Sequence, residues 1–392
     1  MKNTNERCKN EKCKNAKMKN ANERYGKEEK MTEKEYWFWL CNLEQIGLKK
    51  IQAILDYYGT PEQVYRDKGG GLDQINLLTS SDREFILKSK ESGRIQENYA
   101  KLLSKGIYFV TKEESHYPAK LHNIYNPPFA LYVKGSLPRE DKRSIAIVGA
   151  RNCSVYGRET ALYLAGELAK EGIQIISGLA RGIDGYAHEG AISAGGSTYA
   201  IEGCGVDICY PKENFNLYMA MQEKGGVLSE YPPGYSPKAY NFPMRNRLIS
   251  GMSDGILVIE AKEKSGSLIT VDMGLEQGKN IYSVPGRLQD ALSTGCNNLI
   301  KMGAKMVTGP EEILEDFGLD YKICKNQLKK NDKLLETKEK IVYACVSFFP
   351  KHMNEIAGET NLSIMELSEI LMNLELKNYI KEIRKNYYAY IS

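Results

Sequence analysis

From Ser144 onward the chain repeats one pattern, in which a short continuous apolar run is followed by a glycine-containing turn and a longer amphipathic run. The apolar runs are SIAIVG, IQIISG, STYAIEG, ILVIEA and NIYSVPG. Continuous apolar strands that alternate with helices are typical of a parallel sheet covered on both faces. We therefore predict an α/β domain over residues 113–322, with its ligand at the carboxyl ends of the strands.

The region before this domain has a helical pattern. An aromatic run from Glu35 to Leu40 is followed by short amphipathic segments, and we predict a small helical domain over residues 33–112. The sequence Ile46-Gly47-Leu48-Lys49-Lys50 resembles a helix-hairpin-helix, whose turn amides meet a DNA phosphate; a bundle that only packs or mediates contacts is the alternative. Residues 1–32 are rich in Lys, Asn and Glu and are predicted to form a disordered tail.

The last part of the chain has the order of a winged helix. Residues 336–392 contain two short helical runs, an amphipathic run from Ser363 to Lys377 and a closing hairpin, and residues 323–335 read as a polar linker. The third helix carries Glu366, Glu369 and Glu375, which suit protein contact better than a DNA major groove.

Composition limits the class of protein. Lysine and arginine number 54 against 50 aspartates and glutamates, so the net charge of +4 allows only a local nucleic-acid surface. No stretch approaches the ~20 apolar residues of a membrane span, and we expect a cytoplasmic protein without membrane contact. The nine cysteines include no CxxC pair, so no metal site is expected.

The segment from Phe242 to Ala261 contains the clearest binding signal. Arg245, Asn246 and Arg247 precede the strand ILVIEA, which leads to the polar turn Lys264-Ser265-Gly266-Ser267. A planar guanidinium matches phosphate better than a lysine does. The segment therefore predicts a phosphate-bearing ligand, with Phe242 and Tyr240 available to stack on bases.

Three other turns fall at the same predicted edge of the sheet. A glycine turn before a helix presents amides and the positive end of the helix dipole to an anion. Asp184 is expected to N-cap its helix, and His188 to form a surface pair with Glu189. The candidate ligand-binding residues in these turns are Arg151 and Ser154 in the first, Gly178 and Arg181 in the second, and Lys212 and Asn214 in the third.

No catalytic set accompanies these turns. The first turn is not GxGxxG and no acidic residue ends the second strand, which disfavours NAD. Glu230 and Glu260 end strands, where capping is their expected role. We therefore predict a binding protein with no cofactor and no catalytic residue.

Together these segments resemble the bacterial DNA-processing protein A family (DprA, also called Smf). The matching elements occur in the family's order and run from about residue 35 to the end: VGARNCSVYG, SGLARGID, GCGVDICYPKEN, LSEYPPG, FPMRNRLISGMS, LVIEAKEKSGSLIT and EQGKNIYSVPG. The resemblance implies an extended Rossmann-like domain, an N-terminal domain like a sterile alpha motif, and a C-terminal winged-helix-like domain.

The resemblance also implies a function. It points to binding of single-stranded DNA, protection of incoming strands and loading of the RecA recombinase in natural transformation. The DNA pocket would map onto the turn containing Arg151, the Arg245–Arg247 segment and the Lys264–Ser267 turn. A homodimer would form through the Rossmann-like domain, by the helix at Gly295–Ile300; many members have histidine where this chain has Asn297 or Asn298.

Two alternatives remain open from the sequence. Related folds with glycine-rich phosphate turns include nucleotide-handling enzymes of the phosphoribohydrolase type, but these carry a PGGxGT-like turn where this chain has SGSLIT. A weaker alternative is a DNA-dependent regulator that acts through the winged helix.

Overall fold

The structure is a computed structural model that describes residues 31–91, 94–319, 337–346, 350–360, 362–377 and 379–390. The predicted linker, and the predicted tail except for its last two residues, lie outside these ranges. Contacts divide the chain into two compact units between Lys105 and Gly106. This division falls before the boundary predicted after residue 112, because Ile107–Thr111 is a strand of the large sheet.

The first unit is helical. A capping box formed by Thr32 and Glu35 starts its first helix, whose aromatic residues are buried. Lys50, in the predicted helix-hairpin-helix, lies 2.6 Å from Asp82, and this partner holds the pKa of Asp82 down at about 2. The helices are α1 (Glu33–Cys41), α2 (Leu48–Tyr58), α3 (Pro61–Arg66), α4 (Ser80–Glu91) and α5 (Ile95–Ser104), with a 3₁₀ turn at Leu72–Gln74.

The second unit is built on a sheet that has nine strands among the described residues, in the order β1-β2-β6-β5-β4-β3-β7-β8-β9. The strands from β6 to β9 in that order are parallel, whereas β1 and β2 add an antiparallel edge. The strands are β1 (Ile107–Thr111), β2 (Ala130–Gly135), β3 (Ser144–Val148), β4 (Gln174–Ser177), β5 (Thr198–Ile201), β6 (Gly225–Ser229), β7 (Gly255–Val258), β8 (Asn280–Ser283) and β9 (Lys305–Met306).

Helices connect the parallel strands, and an apolar core covers each face of the sheet. Ile145 and Ile147 of β3 belong to one core, whereas Ala146 and Val148 belong to the other, as the alternation of a strand requires. The predicted α/β architecture is confirmed. The helices are α6 (Val155–Lys170), α7 (Ile183–Ser193), α8 (Phe215–Lys224), α9 (Asn241–Gly251), α10 (Gly266–Glu276), α11 (Thr294–Lys301) and α12 (Glu311–Asp316), with 3₁₀ turns at Ala119–Asn123 and Lys212–Asn214.

Strand β6 (GGVLS) is not among the continuous apolar runs from which the sheet was predicted, although Glu230, which directly follows it, was expected to end a strand. A Cβ at Gly225 would lie 1.8 Å from the Thr198 carbonyl oxygen, and one at Gly226 would lie 2.1 Å from that of Ser136. These glycines permit close approach of backbone on both sides of the strand.

The C-terminal part of this unit is a winged helix, as predicted. Its third helix has Ser363 as N-cap, Lys377 as C-cap and a capping box closed by Glu366. Its strands form a sheet in the order β10-β12-β11. The elements are α13 (Thr337–Cys345), β10 (Lys351–His352), α14 (Met353–Thr360), α15 (Ile364–Leu376), β11 (Ile380–Arg384) and β12 (Tyr387–Tyr390). None of the helices in the described ranges combines the length and apolarity needed to cross a bilayer.

Candidate functional site

A cavity of about 420 Å³ lies where the strand order of the large sheet reverses, beyond the carboxyl ends of β3 and β7. After β3 the chain crosses to β4 on one side, and after β7 it crosses to β8 on the other. In doubly wound sheets this divergence, called the switch point, opens a crevice between the two strands. The cavity brings together eight of the predicted residues, which are Arg151, Phe242, Arg245, Asn246, Lys264, Ser265, Gly266 and Ser267.

Four cationic side chains line this cavity. Arg151 follows β3, and Lys262 and Lys264 follow β7; all three are exposed. The fourth, Arg245, is buried at 3% exposure. Lys262 is absent from the residues predicted as binding, although its position directly after the strand ILVIEA was a usable signal. The cavity is therefore positively charged at its rim and on its floor.

The N-terminus of α10 also opens into the cavity. Ser265 is the N-cap and accepts a hydrogen bond from the Ser267 amide, and the hydroxyls of the two serines lie 2.8 Å apart. Gly266 is exposed, and a Cβ there would meet nothing within 4 Å. The exposed Gly266 and the positive end of the helix dipole make this terminus attractive to an anion.

Backbone carbonyls fix the floor arginine in place. Nη1 of Arg245 donates to the carbonyl oxygen of Gly178 at 2.9 Å and to that of Ile201. A Cβ at Gly178 would lie 2.6 Å from the same Nη1, so only glycine leaves room for the guanidinium. Gly178, predicted as a close-approach residue for the ligand, makes this approach to Arg245.

Two buried carboxyl groups surround Arg245. Burial raises the pKa of Glu202 to about 8 and also raises the pKa of Asp184, while the Arg245 charge opposes both shifts. The expectation that Asp184 N-caps its helix is wrong: Gly182 is the N-cap of α7, and Asp184 accepts a hydrogen bond from the Gly178 amide at 3.2 Å. Asp184 thus supports the turn that carries Gly178.

Hydrogen bonds to Glu260 hold the turn that carries Arg151 in place. This carboxylate accepts hydrogen bonds from both the amide and the hydroxyl of Ser154, which in turn caps α6 through the Gly157 amide. A Cβ at Gly157 would lie 2.3 Å from the carboxylate, so this glycine makes room for it. Ser154 and Glu260 therefore position the turn, and neither lines the cavity.

Phe242 provides an aromatic wall between two cations. Its ring centroid lies 6.0 Å from Cζ of Arg151 and 5.7 Å from Cζ of Arg245, and 5.3 Å from the ring of Tyr210. An aromatic face flanked by guanidiniums can stack on a planar group whose substituents carry negative charge.

Arg247 lies outside the cavity lining. Its guanidinium forms a two-point ion pair with Glu230, and Nε donates to the Asn126 carbonyl oxygen at 3.1 Å. The structure thus separates two arginines that the sequence analysis treated as one phosphate-binding unit. Glu230, expected to cap, is the ionic partner.

The remaining predicted residues lie in loops beside the cavity residues. Arg181 pairs with the exposed Glu213. The side-chain Nδ2 of Asn214 donates to the carbonyl oxygens of Leu179 and Ala180, at 2.9 and 3.2 Å, and so joins two loops. Lys212 begins the 3₁₀ turn before α8.

His188 is a buried residue, so the expectation of a surface pair with Glu189 is wrong. Its Nδ1 lies 2.6 Å from the Thr198 hydroxyl, and burial lowers the pKa of the imidazole to about 3. The ring is neutral, and it lies where α7 packs against β5. Within the described ranges, no three His, Cys, Asp or Glu side chains cluster in a way that could hold a metal ion.

Fold and cavity together define a class of protein: a Rossmann-like α/β domain with a cationic cavity at its switch point, combined with a winged helix. Residues 108–318 match the model of the family described as DNA recombination-mediator protein A, and residues 329–383 match the DprA winged helix domain. The chain belongs to the DNA recombination-mediator protein A family.

Known members resemble the chain over most of their length. The Bacillus subtilis DNA processing protein DprA is 40% identical over 249 residues, which cover 62% of this chain and 84% of that protein. The Escherichia coli protein Smf is 39% identical over 294 residues, or 74% of this chain and 77% of the relative. The crystal structure of Streptococcus pneumoniae DprA aligns with a TM-score of 0.62 at 33% identity, covering 74% of this chain and 99% of that one.

Proposed function

We propose that this protein binds single-stranded DNA in the cavity at the switch point and acts as a recombination mediator. The observation that carries the proposal is the combination in one cavity of three exposed cations, the buried Arg245, an open helix N-terminus and the ring of Phe242. Phosphates would contact the cations and amides, and an unstacked base would lie against the ring.

The number of cations in the cavity suits a polymer. Arg151 belongs to the turn after β3, whereas Lys262 and Lys264 belong to the turn after β7, on the other side of the strand reversal. A mononucleotide has one phosphate group to satisfy them, while a strand supplies one phosphate at every nucleotide. Accessible bases also require a single strand, because duplex stacking would hide them from Phe242.

The carboxylates around the cavity favour binding over turnover. Asp184 accepts from the Gly178 amide and Glu260 accepts from Ser154, so both already stabilise the turns that form the walls. We therefore assign no catalytic residue, and we propose that bound DNA leaves unchanged.

We also propose that the protein protects incoming strands and loads RecA. It would do so as a homodimer formed through the Rossmann-like domain. Within α11, Asn297 bonds the amide and the carbonyl of Gly286, at 3.1 and 3.0 Å, which fixes the loop after β8. Met302 and Leu288 near this helix are 79% and 90% exposed. Such exposed apolar side chains support a contact with a second copy.

The direct experiment is a fluorescence-anisotropy titration of the full chain with oligo-dT and with duplex DNA of the same length, over a salt series. We expect tighter binding to the single strand, and an affinity that falls with salt because neutralised phosphates release counterions. Equal affinity for both forms would contradict the proposal. Release of free base from a panel of nucleoside monophosphates would instead support the phosphoribohydrolase alternative.

A further inference from the structure

A second group of aromatic rings lies on the loop between β6 and α9. The rings of Tyr231 and Tyr235 stack, with centroids 4.9 Å apart and planes 15° from parallel. The hydroxyl of Tyr235 lies 3.5 Å from that of Tyr240, whose side chain is 62% exposed. We call Tyr231, Tyr235, Tyr240 and Lys238 the tyrosine ledge.

Lys238 adds a positive charge to this surface. Its ammonium lies 4.7 Å from the ring centroid of Tyr235 and 6.0 Å from that of Tyr240, and the residue is exposed. One nucleotide presents both a flat base and a phosphate, so an exposed ring beside an exposed ammonium matches both of its parts.

The loop that carries the ledge is held to the preceding loop by a backbone hydrogen bond and by a bond to the Asp207 carboxylate. The Gly205 amide donates to the Tyr235 carbonyl oxygen at 2.9 Å, and the Gly234 amide donates to Asp207 at 2.7 Å. A Cβ at Gly205 would lie 2.6 Å from the Pro232 carbonyl oxygen, so the two loops are in close contact. Because the backbone of this loop is already held, a ligand would lose less entropy in ordering it.

The ledge adjoins the cavity along the chain. Tyr240 immediately precedes α9, and Phe242 in the first turn of that helix lines the cavity. Asn241, between them, donates to the Gly203 carbonyl oxygen at 2.8 Å and is completely buried, so the two aromatic residues are joined by a fixed point.

We propose that the tyrosine ledge is a second stacking subsite, which takes an unstacked base of a single strand that extends beyond the cavity, with Lys238 against its phosphate. The inference rests on the proposed function, since the cavity would hold the neighbouring nucleotides. Tyr240 contacts the base directly, and the stacked pair Tyr231 and Tyr235 supports it.

The test compares Tyr240→Ala with Tyr240→Phe in the full chain, using a length series of oligo-dT. Loss of one stacking contact should weaken binding about 5- to 100-fold for long oligomers, and the shortest oligomer that binds should be unaffected because it fills only the cavity. Tyr240→Phe keeps the ring and should bind like wild type. Tyr108→Ala, an equally exposed tyrosine on the edge strand β1, is the matched control.

Photocross-linking of oligonucleotides that carry 5-iodouracil at single positions gives a second readout, with the attached peptide identified by mass spectrometry. We expect a cross-link to Tyr240 from one position near the end of a long oligomer. The ledge is overturned if Tyr240→Ala matches wild type at every length, or if Tyr240→Phe loses as much affinity as the alanine variant. Loss of affinity at every length, including the shortest, also overturns it, because Tyr240 would then belong to the cavity. Failure of wild type to bind any single strand would overturn the proposed function itself.

Discussion

Arg247 and Glu230 form a buried, two-point ion pair that joins α9 to the end of β6. Nη1 lies 3.0 Å from Oε1 and Nη2 lies 2.6 Å from Oε2, and the two side chains are only 5% and 8% exposed. The parallel geometry is the one in which a guanidinium satisfies a carboxylate most completely. Arg247 therefore orients the helix that presents Phe242 and Arg245 to the cavity.

Replacement of Arg247 by alanine should destabilise the fold. The variant leaves the Glu230 carboxylate buried without its partner, which costs about 3–5 kcal/mol in the free energy of unfolding. Urea denaturation followed by circular dichroism measures the loss. Arg181→Ala, which breaks an exposed pair with Glu213, should change stability by no more than about 1 kcal/mol. A stable Arg247→Ala protein that binds no DNA would instead place Arg247 on a phosphate.

The sequence predicts that both arginines lie at the edge of the sheet. It does not show in which direction each side chain points. Arg245 and Arg247 are two positions apart on α9, so their side chains point about 200° apart around the helix axis. Their partners are distant in sequence: Gly178 lies 67 residues from Arg245, and Glu230 lies 17 from Arg247. Only the folded arrangement of the loops decides which guanidinium reaches the cavity.

Local patterns did predict the strands that are continuous apolar runs, the turns at their ends and the third helix of the winged helix. They failed where a residue's role depends on a remote neighbour. His188 resembles a surface residue of an amphipathic run until α7 packs on β5, and Asp184 resembles a cap until its carboxylate meets the Gly178 amide. Neither contact can be inferred from the composition of the chain or from the spacing of its residues.

A methyl group at Gly182 should disrupt the first turn of the site. The backbone there has φ of 74°, and a Cβ would lie 2.2 Å from the Ala150 carbonyl oxygen. The unfavourable φ alone costs roughly 1–3 kcal/mol, and relief of the clash would move Arg151. We expect Gly182→Ala to lose both stability, measured by urea denaturation, and affinity for single-stranded DNA. Gly266→Ala, where nothing lies within 4 Å, should keep its stability and weaken binding only. Full stability in Gly182→Ala would contradict the geometry.

Protonation of Glu202 should make stability depend on pH. Because the pKa of this carboxyl rises from 4.5 to about 8 on folding, the folded state holds the proton more tightly. Unfolding then releases the proton, so this contribution to stability falls as pH rises between those two values and is constant outside them. Denaturation at a series of pH values should show that the stability of Glu202→Gln increases relative to wild type as the pH rises across that window. A difference that does not change with pH would show that Glu202 is ionised in the folded protein.

A charge at Met302 should separate a dimer formed through α11. In a two-fold interface each glutamate of Met302→Glu would face the same surface of the other copy, so the variant should be monomeric where wild type is dimeric. Sedimentation equilibrium measures the mass. Met219→Glu, on the exposed face of α8, is the control and should keep the wild-type mass. Identical masses for wild type and Met302→Glu would remove α11 from the interface.

The most direct measurement of the central claim is the salt dependence of oligo-dT binding by the double variant Arg151→Ala, Lys264→Ala. Each phosphate contact on a single strand contributes about 0.7 to the slope of log K against log salt. Loss of both contacts should reduce the slope by about 1.4 and, at about 1.5–3 kcal/mol for each charged hydrogen bond, weaken binding by roughly 100-fold or more. Arg158→Ala with Lys170→Ala removes two exposed cations of α6 outside the cavity lining and should leave both quantities unchanged. If the cavity variant, correctly folded, keeps the wild-type slope and affinity, single-stranded DNA does not bind at this cavity.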